Sequence, residues 1–208
     1  MELASLYDTC RTYRRFEQKP VEPELLRTLA DVARKRSCGR NGQCLRFTVV
    51  ESPANVKAMQ PLLRWAAALP KEIGTPKEGE QPVAFVVVSR PKDANLTISS
   101  IDVGIALDAM AITAWQQGVG SAILAAVDRP KIAALLDIPE EREVVTVLAL
   151  GYPSHQSTLV PGEEGKLAYY VDEARIIMCP NCPWRKWRSS NKRSREKRRI
   201  LCCMILPL

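Results

Sequence analysis

The apolar segment from Ser99 to Gln117 places the tightest limit on what this chain can fold into. Its apolar residues lie around most of the circumference of a helix rather than along one face. Such a helix has little polar surface for solvent, so we expect it at the centre of the protein or at an interface between subunits. The chain of 208 residues is long enough to build one domain around it.

Shorter patterned segments on both sides of this helix predict an α/β or α+β protein. Three blocks of β-branched and aliphatic residues predict strands, LRFTVVE, AFVVVSR and VVTVLALGYP, and the third has the character of a strand in a parallel sheet. Helices are predicted at Leu3 to Arg14, Pro23 to Lys35, Ala54 to Ala68 and Arg129 to Asp137. Interleaved in this order, the elements predict one sheet with helices on both faces.

The formal net charge of +7 is concentrated at the end of the chain. Ten Lys or Arg residues and one acidic residue follow Ala174, which leaves 20 basic and 22 acidic residues in the first 174 positions. The body of the protein is therefore mildly acidic, and the excess positive charge belongs to the tail.

The N-terminus and the cysteines favour a cytoplasmic protein. The opening MELASLYDTCRTYRR lacks the basic flank and the apolar stretch of a secretory signal. No apolar run approaches the ~20 residues of a membrane-spanning helix, so no membrane partner is expected. The seven cysteines are expected to be mostly reduced in the cytosol.

Two segments carry groups suited to a phosphorylated heterocycle. Arg11, Thr12, Arg14 and Arg15 cluster within five residues, and guanidinium groups beside a hydroxyl suit a phosphate, although a solvated charged face has the same composition. The loop SCGRNGQC offers amide groups on a glycine-bearing backbone, suited to a heterocycle edge or simply to a connection. With one histidine, His155, and no G-x-S-x-G or P-loop sequence, no other catalytic set is predicted.

The sequence GVGS at positions 118 to 121 is not a dinucleotide-binding fingerprint. That fingerprint has glycines that open a helix directly after a strand, whereas these glycines follow a predicted helix. By itself GVGS predicts a helix C-cap and a turn into an extended segment.

In combination, these segments resemble the FMN-dependent nitroreductase family. The motifs are RTYRRF, SCGRNGQCLRFTVV, SIDVGIALDAM, GVGS, LDIPEE and VLALGYP, and their order and spacing agree with the family over residues 1 to about 174. The resemblance implies an α+β fold with a central mixed sheet flanked by helices, in a homodimer of the obligate type. It also implies two FMN sites at the subunit interface, each lined by both chains, with NAD(P)H as electron donor.

The resemblance places FMN contacts in three segments. The first holds the phosphate and the ribityl chain, the second borders the flavin, and the third faces the isoalloxazine and donates a backbone hydrogen bond to its N5 edge. In that order the matching residues are Arg11, Thr12 and Arg14; Cys38, Gly39 and Asn41; and Leu124, Ala125 and Ala126.

The second segment departs from the family pattern, which is more often Pro-Ser-x-x-Asn-x-Gln-Pro. Cys38 stands in the serine position, while Ser37 and Cys44 stand in the two proline positions. A thiol is a weaker hydrogen-bond donor than a hydroxyl, so the contact that the serine would make is weakened.

The implied chemistry needs no protein acid, nucleophile or metal. Hydride moves from NAD(P)H to flavin N5 and on to an electron-poor small molecule such as a nitroaromatic or a quinone, so no catalytic residue is expected. The alternative is a flavin-poor, inactive or truncated family member whose altered tail impairs FMN binding and dimerisation.

The resemblance ends before the tail, residues 175–208. Family members usually continue after YYVDE with a segment of the type G-x-x-H-V-P-K-x-P-L-E-E. One permitted set of codons for Arg175 to Ser190, read from its third base, spells DYHVPKLPLEEVEV, which indicates that the tail arose by a frameshift. We therefore expect a domain over residues 1–174 and an atypical tail that is disordered or derived from a frameshift.

The composition of the tail also fits two other kinds of site, a zinc site and a nucleic-acid-binding arm. Cys179, Cys182, Cys202 and Cys203 are four thiols, but a usual zinc site has two separated C-x-x-C pairs, so no zinc is expected. The run WRKWRSSNKRSREKRR has the composition of a nucleic-acid-binding arm. Such a run binds polyanions weakly and in a salt-dependent way, so no specific nucleic-acid partner is expected.

Overall fold

Helices and strands alternate along the chain in a computed structural model, which describes residues 2–66, 68–163 and 165–182. The helices are α1 (Leu3–Thr9), α2 (Pro23–Arg34), α3 (Pro53–Met59), α4 (Lys71–Gly74), α5 (Leu96–Gln116) and α6 (Arg129–Leu135). The strands are β1 (Arg46–Val50), β2 (Ala84–Pro91), β3 (Gly120–Leu124), β4 (Arg142–Gly151), β5 (Ser157–Pro161), β6 (Tyr170–Val171) and β7 (Ile177–Asn181). Short 3-10 turns lie at Gly39–Asn41 and Gln60–Leu62.

Four strands form a central sheet in the order β1-β2-β4-β3, and every neighbouring pair is antiparallel. Thr12 adds a parallel bridge to this sheet at Ser121 on β3. The predicted α+β fold is confirmed. The parallel character predicted for the strand that became β4 is wrong, because its apolar run reflects burial on both faces of an antiparallel sheet.

Alternate side chains of β2 point into two cores on opposite faces of the sheet. Val86 and Val88 pack in the core that contains α2 and α5. Phe85 and Val87 pack in the core that contains α3 and α6. All four side chains are fully buried, so both faces of the central strand are covered by helices.

Helix α5 is the central helix that the apolar segment predicts. It begins at Leu96, capped by the Asn95 side chain, which accepts a hydrogen bond from the Ile98 amide at 3.0 Å. It contacts α1, α2 and β3. Within the described ranges it is also the one helix long and apolar enough to span a membrane by length and composition. The expectation that no segment approaches this length is therefore wrong, and a core helix of a folded protein passes the same test.

Two predicted helices are shorter in the structure. The first ends at Thr9, because the following residues run extended beside β3, where the Tyr13 amide donates to the Ser121 carbonyl. The helix predicted over 54–68 gives way after Met59 to a 3-10 turn that contains Pro61. Proline lacks an amide hydrogen and cannot continue the hydrogen-bond pattern of an α-helix.

A smaller sheet brings together the end of the body and the start of the tail. Its order is β5-β7-β6, with β7 parallel to β5 and antiparallel to β6. Ile177 on β7 is buried, so the residues just after 174 pack against the body. The domain boundary at 174 stays a prediction, and the tail beyond Cys182, including Cys202 and Cys203, lies outside the described residues.

The side chain of His155 packs against Tyr13 and Arg15. Its ring lies edge-on to the Tyr13 ring with centroids 5.5 Å apart, and Nδ1 is 3.3 Å from the Arg15 carbonyl oxygen. Its Nε2 atom is buried and has no partner within the described residues. Burial, with the Arg15 charge as the second cause, lowers the pKa of His155 from 6.5 to about 4, so the ring is neutral at pH 7.

We expect the imidazole of His155 to titrate near pH 4 in the folded protein. Because the folded pKa lies below the unfolded value, the associated stability is fully present above about pH 6.5 and is lost as the pH falls toward 4. NMR titration of the ring protons measures this directly, since the chain has one histidine. A ring that titrates near pH 6.5 in the folded protein would contradict the packing described here.

We expect Leu29→Ala to lower the free energy of unfolding by about 2–5 kcal/mol, because Leu29 is fully buried between α2 and α5 and truncation leaves a cavity. Its neighbour Thr28 is exposed, so Thr28→Ala should change that energy by no more than about 0.5 kcal/mol. Denaturant unfolding of both variants gives the comparison. Equal losses would show that α2 does not bury this face.

Candidate functional site

The N-terminal segment, residues 10–16, lies against the start of β3. The Tyr13 amide donates to the Ser121 carbonyl at 2.9 Å, and Thr12 forms the parallel bridge to the same residue. Gly120 makes this approach possible, because a Cβ there would lie 2.8 Å from Cδ2 of Tyr13. The GVGS sequence therefore supplies the close contact that joins the arginine-rich segment to the sheet.

Arg11 and Arg14 flank Thr12 without carboxylate partners within the described residues. Arg11 donates from Nη2 to the Tyr7 carbonyl, while its Nε is buried and has no acceptor within the same residues. The Arg14 guanidinium lies 4.5 Å from the centre of the Tyr169 ring, and burial lowers its pKa. The segment thus presents two cations with unused hydrogen-bonding capacity beside a hydroxyl.

Tyr13 is held by aromatic packing and stays protonated at neutral pH. Its ring stacks on Trp115 with centroids 4.9 Å apart, and Trp115 donates from Nε1 to Thr9 Oγ1 at 2.8 Å. Burial raises the pKa of Tyr13 to about 12, with the nearby Cys10 as the second cause. Burial also raises the pKa of the Cys10 thiol. These groups support the segment and are not poised for acid or base chemistry at pH 7.

The end of β3 presents backbone donors. Leu124 is buried, whereas Ala125 and Ala126 are exposed. Their carbonyl oxygens are occupied: Ala125 accepts from Arg129 at 3.0 Å, and Ala126 accepts from the Arg64 amide at 3.0 Å. The amide hydrogens of Ala125 and Ala126 meet no acceptor in the described part of the chain. They are therefore available to a ligand with an acceptor atom.

The loop that contains Gly39, residues 37–44, is bound to α5 by a buried carboxylate and is called the Gly39 loop below. The Gly39 amide donates to Asp102 Oδ1 at 2.8 Å, and Asp102 is 5% exposed. A Cβ on Gly39 would lie 2.2 Å from Cγ2 of Ile98, so the loop approaches the helix more closely than any other residue would allow. Asp102 therefore sets the position of the loop.

Beyond Gly39 the loop runs through an unusual backbone conformation. Arg40, Asn41 and Gln43 have φ values of 53°, 54° and 46°, in the left-handed region. The Gln43 amide then points back at Cys38, with the nitrogen 3.4 Å from Sγ. Asn41 tolerates this conformation better than Arg40 or Gln43, so the backbone strain of the loop is concentrated at Arg40 and Gln43.

The single chain brings only part of the predicted site together. The N-terminal segment contacts the C-terminal half of α5, where Cys10 Sγ lies 3.8 Å from the Ala111 carbonyl oxygen. The Gly39 loop contacts Asp102, nine positions earlier, which is about 13 Å along the helix axis. Arg11, Thr12 and Arg14 thus lie beside β3, whose end carries Leu124 to Ala126. Cys38, Gly39 and Asn41 lie elsewhere on the same chain.

Three residues that support these segments were not assigned a role from the sequence. Asp102 had a signal, since an acidic residue inside the apolar motif SIDVGIALDAM must find a partner when buried. Tyr13 and Tyr169 had none, because their contacts with Gly120 and Arg14 join parts of the chain far apart in sequence. No group of three or more His, Cys, Asp or Glu side chains suited to a metal occurs within residues 2–66, 68–163 and 165–182.

Solved structures share this fold at low sequence identity. A nitroreductase family protein from Clostridium novyi NT is 23% identical, with a TM-score of 0.63 over 74% of this chain and 86% of that one. Nitroreductase A from Vibrio parahaemolyticus is 17% identical, with a TM-score of 0.63 over 78% and 72%. A variant of NfnB, described as an FMN and NADPH-dependent nitroreductase from Sphigopyxis sp. strain HMH, is 15% identical, with a TM-score of 0.60 over 74% and 89%.

A comparison of the sequence with models of protein families finds a match over most of residues 1–174. No curated protein matches the chain. The family model described as "Nitroreductase family" matches residues 9–152, a range that runs from the arginine-rich segment through the end of β4. The resemblance inferred from the motifs is confirmed, and the chain belongs to the nitroreductase family.

Proposed function

We propose that this protein is an FMN-dependent oxidoreductase that moves hydride from NAD(P)H to an electron-poor small molecule such as a nitroaromatic or a quinone. Membership of the nitroreductase family supports an oxidoreductase. The observation that carries the cofactor is the buried, unpartnered Nε of Arg11, a charged donor beside Thr12 and Arg14. A donor of this kind is costly to bury unless a ligand accepts from it.

The residues present fit the two ends of FMN. Arg11 and Arg14 would hold the phosphate through charge-assisted hydrogen bonds, with the Thr12 hydroxyl as a further donor. The exposed amides of Ala125 and Ala126 would face the flavin ring, which has acceptor atoms along one edge. The stack of Arg14 on Tyr169 keeps one guanidinium in place before the ligand binds, which lowers the conformational entropy lost on binding.

The protein residues bind and orient rather than transfer protons. Bound FMN would supply hydride transfer at its N5 atom, so no side chain has to act as acid or nucleophile. This agrees with the neutral, packed state of His155 and with the phenol of Tyr13, whose pKa is about 12. Ala125 and Ala126 would orient the ring with their amide donors, while buried Leu124 excludes water behind them.

We propose that two copies of the chain complete each site. Because Gly39 and the Arg11 segment contact α5 at positions about 13 Å apart, Cys38, Gly39 and Asn41 of one protomer would border the flavin held by the other. The exposed Ile101, 59% accessible on α5 next to Asp102, supports burial of this part of the helix in a homodimer. We also propose a cytoplasmic location, where the free cysteines of the described residues would stay reduced.

We expect the purified full chain, supplied with FMN, to show flavin absorbance that bleaches anaerobically on addition of NADH or NADPH. Addition of a nitroaromatic or a quinone should restore the absorbance, because the reduced cofactor passes its hydride to such an acceptor. Protein that takes up no FMN would overturn the proposed cofactor. Flavin that binds but is not bleached by either nucleotide would overturn the proposed electron donor.

We expect Arg11→Ala to raise the Kd for FMN about 10- to 100-fold, because a charged hydrogen bond contributes about 1.5–3 kcal/mol. Arg11→Lys should retain part of the affinity, since it keeps the charge but loses the planar donor set. Titration of FMN with fluorescence detection measures both. The matched control is Arg27→Ala on α2, an exposed arginine that pairs with Glu24.

Comparison of Arg11→Ala with Arg27→Ala tests whether residues 10–16 bind the FMN phosphate. Equal FMN affinity in Arg11→Ala and Arg27→Ala, with both variants folded by circular dichroism, would show that the phosphate lies elsewhere. A loss confined to Arg11→Ala would support the phosphate site beside Thr12.

A further inference from the structure

Two thiols face one cavity between α2, the Gly39 loop and α5. The cavity has a volume of about 450 Å³, and both Cys38 and Cys44 line it. Ala33, Phe47 and Ala106 supply apolar parts of its wall. Both cysteines are free and half-buried.

The loop that carries these thiols is anchored at both ends. At its start, the Gly39 amide is held by Asp102 Oδ1 at 2.8 Å. At its end, Arg142 donates from Nη2 to the Cys44 carbonyl at 2.8 Å and to the Ser89 carbonyl at 2.8 Å. Both ends of the loop are therefore fixed, while residues 40–43 between them are exposed.

The turn between the anchors brings the chain back toward Cys38. The left-handed backbone of Gln43, with φ of 46°, directs its amide to Cys38 Sγ, and the nitrogen lies 3.4 Å from the sulfur. Cys44 is the next residue along the chain. Because Cys44 directly follows a residue whose backbone amide contacts Cys38 Sγ, the two cysteines lie on the same turn. The backbone amide of Gln43 can also donate a hydrogen bond to a thiolate at Cys38.

The rim of the cavity carries more positive than negative charge. Arg34, Arg36 and Arg46 line it, against Asp31 and Asp102. Asp31 is already paired with Arg34, and Asp102 binds Gly39. No carboxylate pairs with Arg36 or Arg46 within the described residues. Because Arg46 Nη1 already donates to the Gln43 and Leu45 carbonyls, Arg36 is the cation best placed to attract an anionic reactant.

We propose that Cys38 and Cys44 are a redox-active dithiol that small anionic disulfides oxidise to an intramolecular disulfide. The cavity, the anchors and the thiols belong to the chain itself. Because the same loop would border the flavin in the proposed dimer, the test uses the full chain without added FMN.

The reaction balances as two thiol–disulfide exchanges. The Cys38 thiolate attacks one sulfur of the reactant disulfide, which breaks the reactant S–S bond, forms a mixed disulfide and releases one thiolate. The Cys44 thiolate then attacks the Cys38 sulfur, forms the protein disulfide and releases the second thiolate. The protein loses two electrons and two protons, and the reactant disulfide becomes two thiols.

The test treats the full chain, reduced and then freed of reductant, with oxidised glutathione under anaerobic conditions. After free thiols are blocked with iodoacetamide, trypsin cuts at Arg36, Arg40 and Arg46 and separates the two cysteines into SCGR and NGQCLR. Mass spectrometry should find these two peptides joined by a disulfide. Cys10 should remain largely alkylated, because it lies outside the cavity and burial raises the pKa of its thiol.

Variants separate a dithiol from independent thiols. Cys44→Ser should stop the reaction at a mixed disulfide of Cys38 with glutathione, whereas Cys10→Ser should still form the joined peptides. Arg36→Ala should slow oxidation by glutathione disulfide about two- to fivefold and leave the rate with the neutral hydroxyethyl disulfide unchanged.

The outcome that overturns the proposal is glutathione spread equally over Cys10, Cys38 and Cys44 without joined peptides. The wild-type mapping decides this even where a variant fails to fold. A disulfide that forms equally fast with charged and neutral reagents would overturn the preference for an anionic reactant. Because every readout is a peptide mass or a rate of thiol loss, failure here is distinguishable from failure of the flavin proposal.

Discussion

The contact between Tyr13 and Gly120 is the constraint on which the rest of the site depends. A side chain at Gly120 would collide with the Tyr13 ring, so the glycine lets the N-terminal segment join the sheet through the Ser121 carbonyl. The stack of Tyr13 on Trp115 and the edge contact with His155 then hold the segment from both sides. Arg11 and Arg14 consequently project beside β3 from a rigid backbone.

Helix α5 organises the other half of the candidate site. It is almost uniformly apolar, yet it buries the carboxylate of Asp102 because the Gly39 amide supplies a hydrogen bond. The same helix receives the N-terminal segment at Ala111 and Trp115. Both segments rest on one helix but about 13 Å apart, and this separation supports the proposed cofactor site shared by two protomers.

The Gly39 loop combines two proposed properties. Its backbone would border the flavin, and its cysteines form the proposed dithiol on the side that faces the cavity. Both depend on the same anchors, Asp102 at one end and Arg142 at the other. Where the wider family more often has serine and proline, the thiols of Cys38 and Cys44 give this loop a redox chemistry that a hydroxyl and a pyrrolidine ring lack.

Local pattern in the sequence was enough to predict one sheet flanked by helices, the central helix and the main strands, because periodicity and residue type report burial directly. Motif order was enough to predict the family, and it singled out Arg11, Thr12 and Arg14. The pairing of β4, the end of α1 at Thr9 and the supporting roles of Tyr13 and Tyr169 were decided by tertiary structure alone. Each depends on contacts between residues far apart in the chain, and such contacts leave no periodic trace in the sequence.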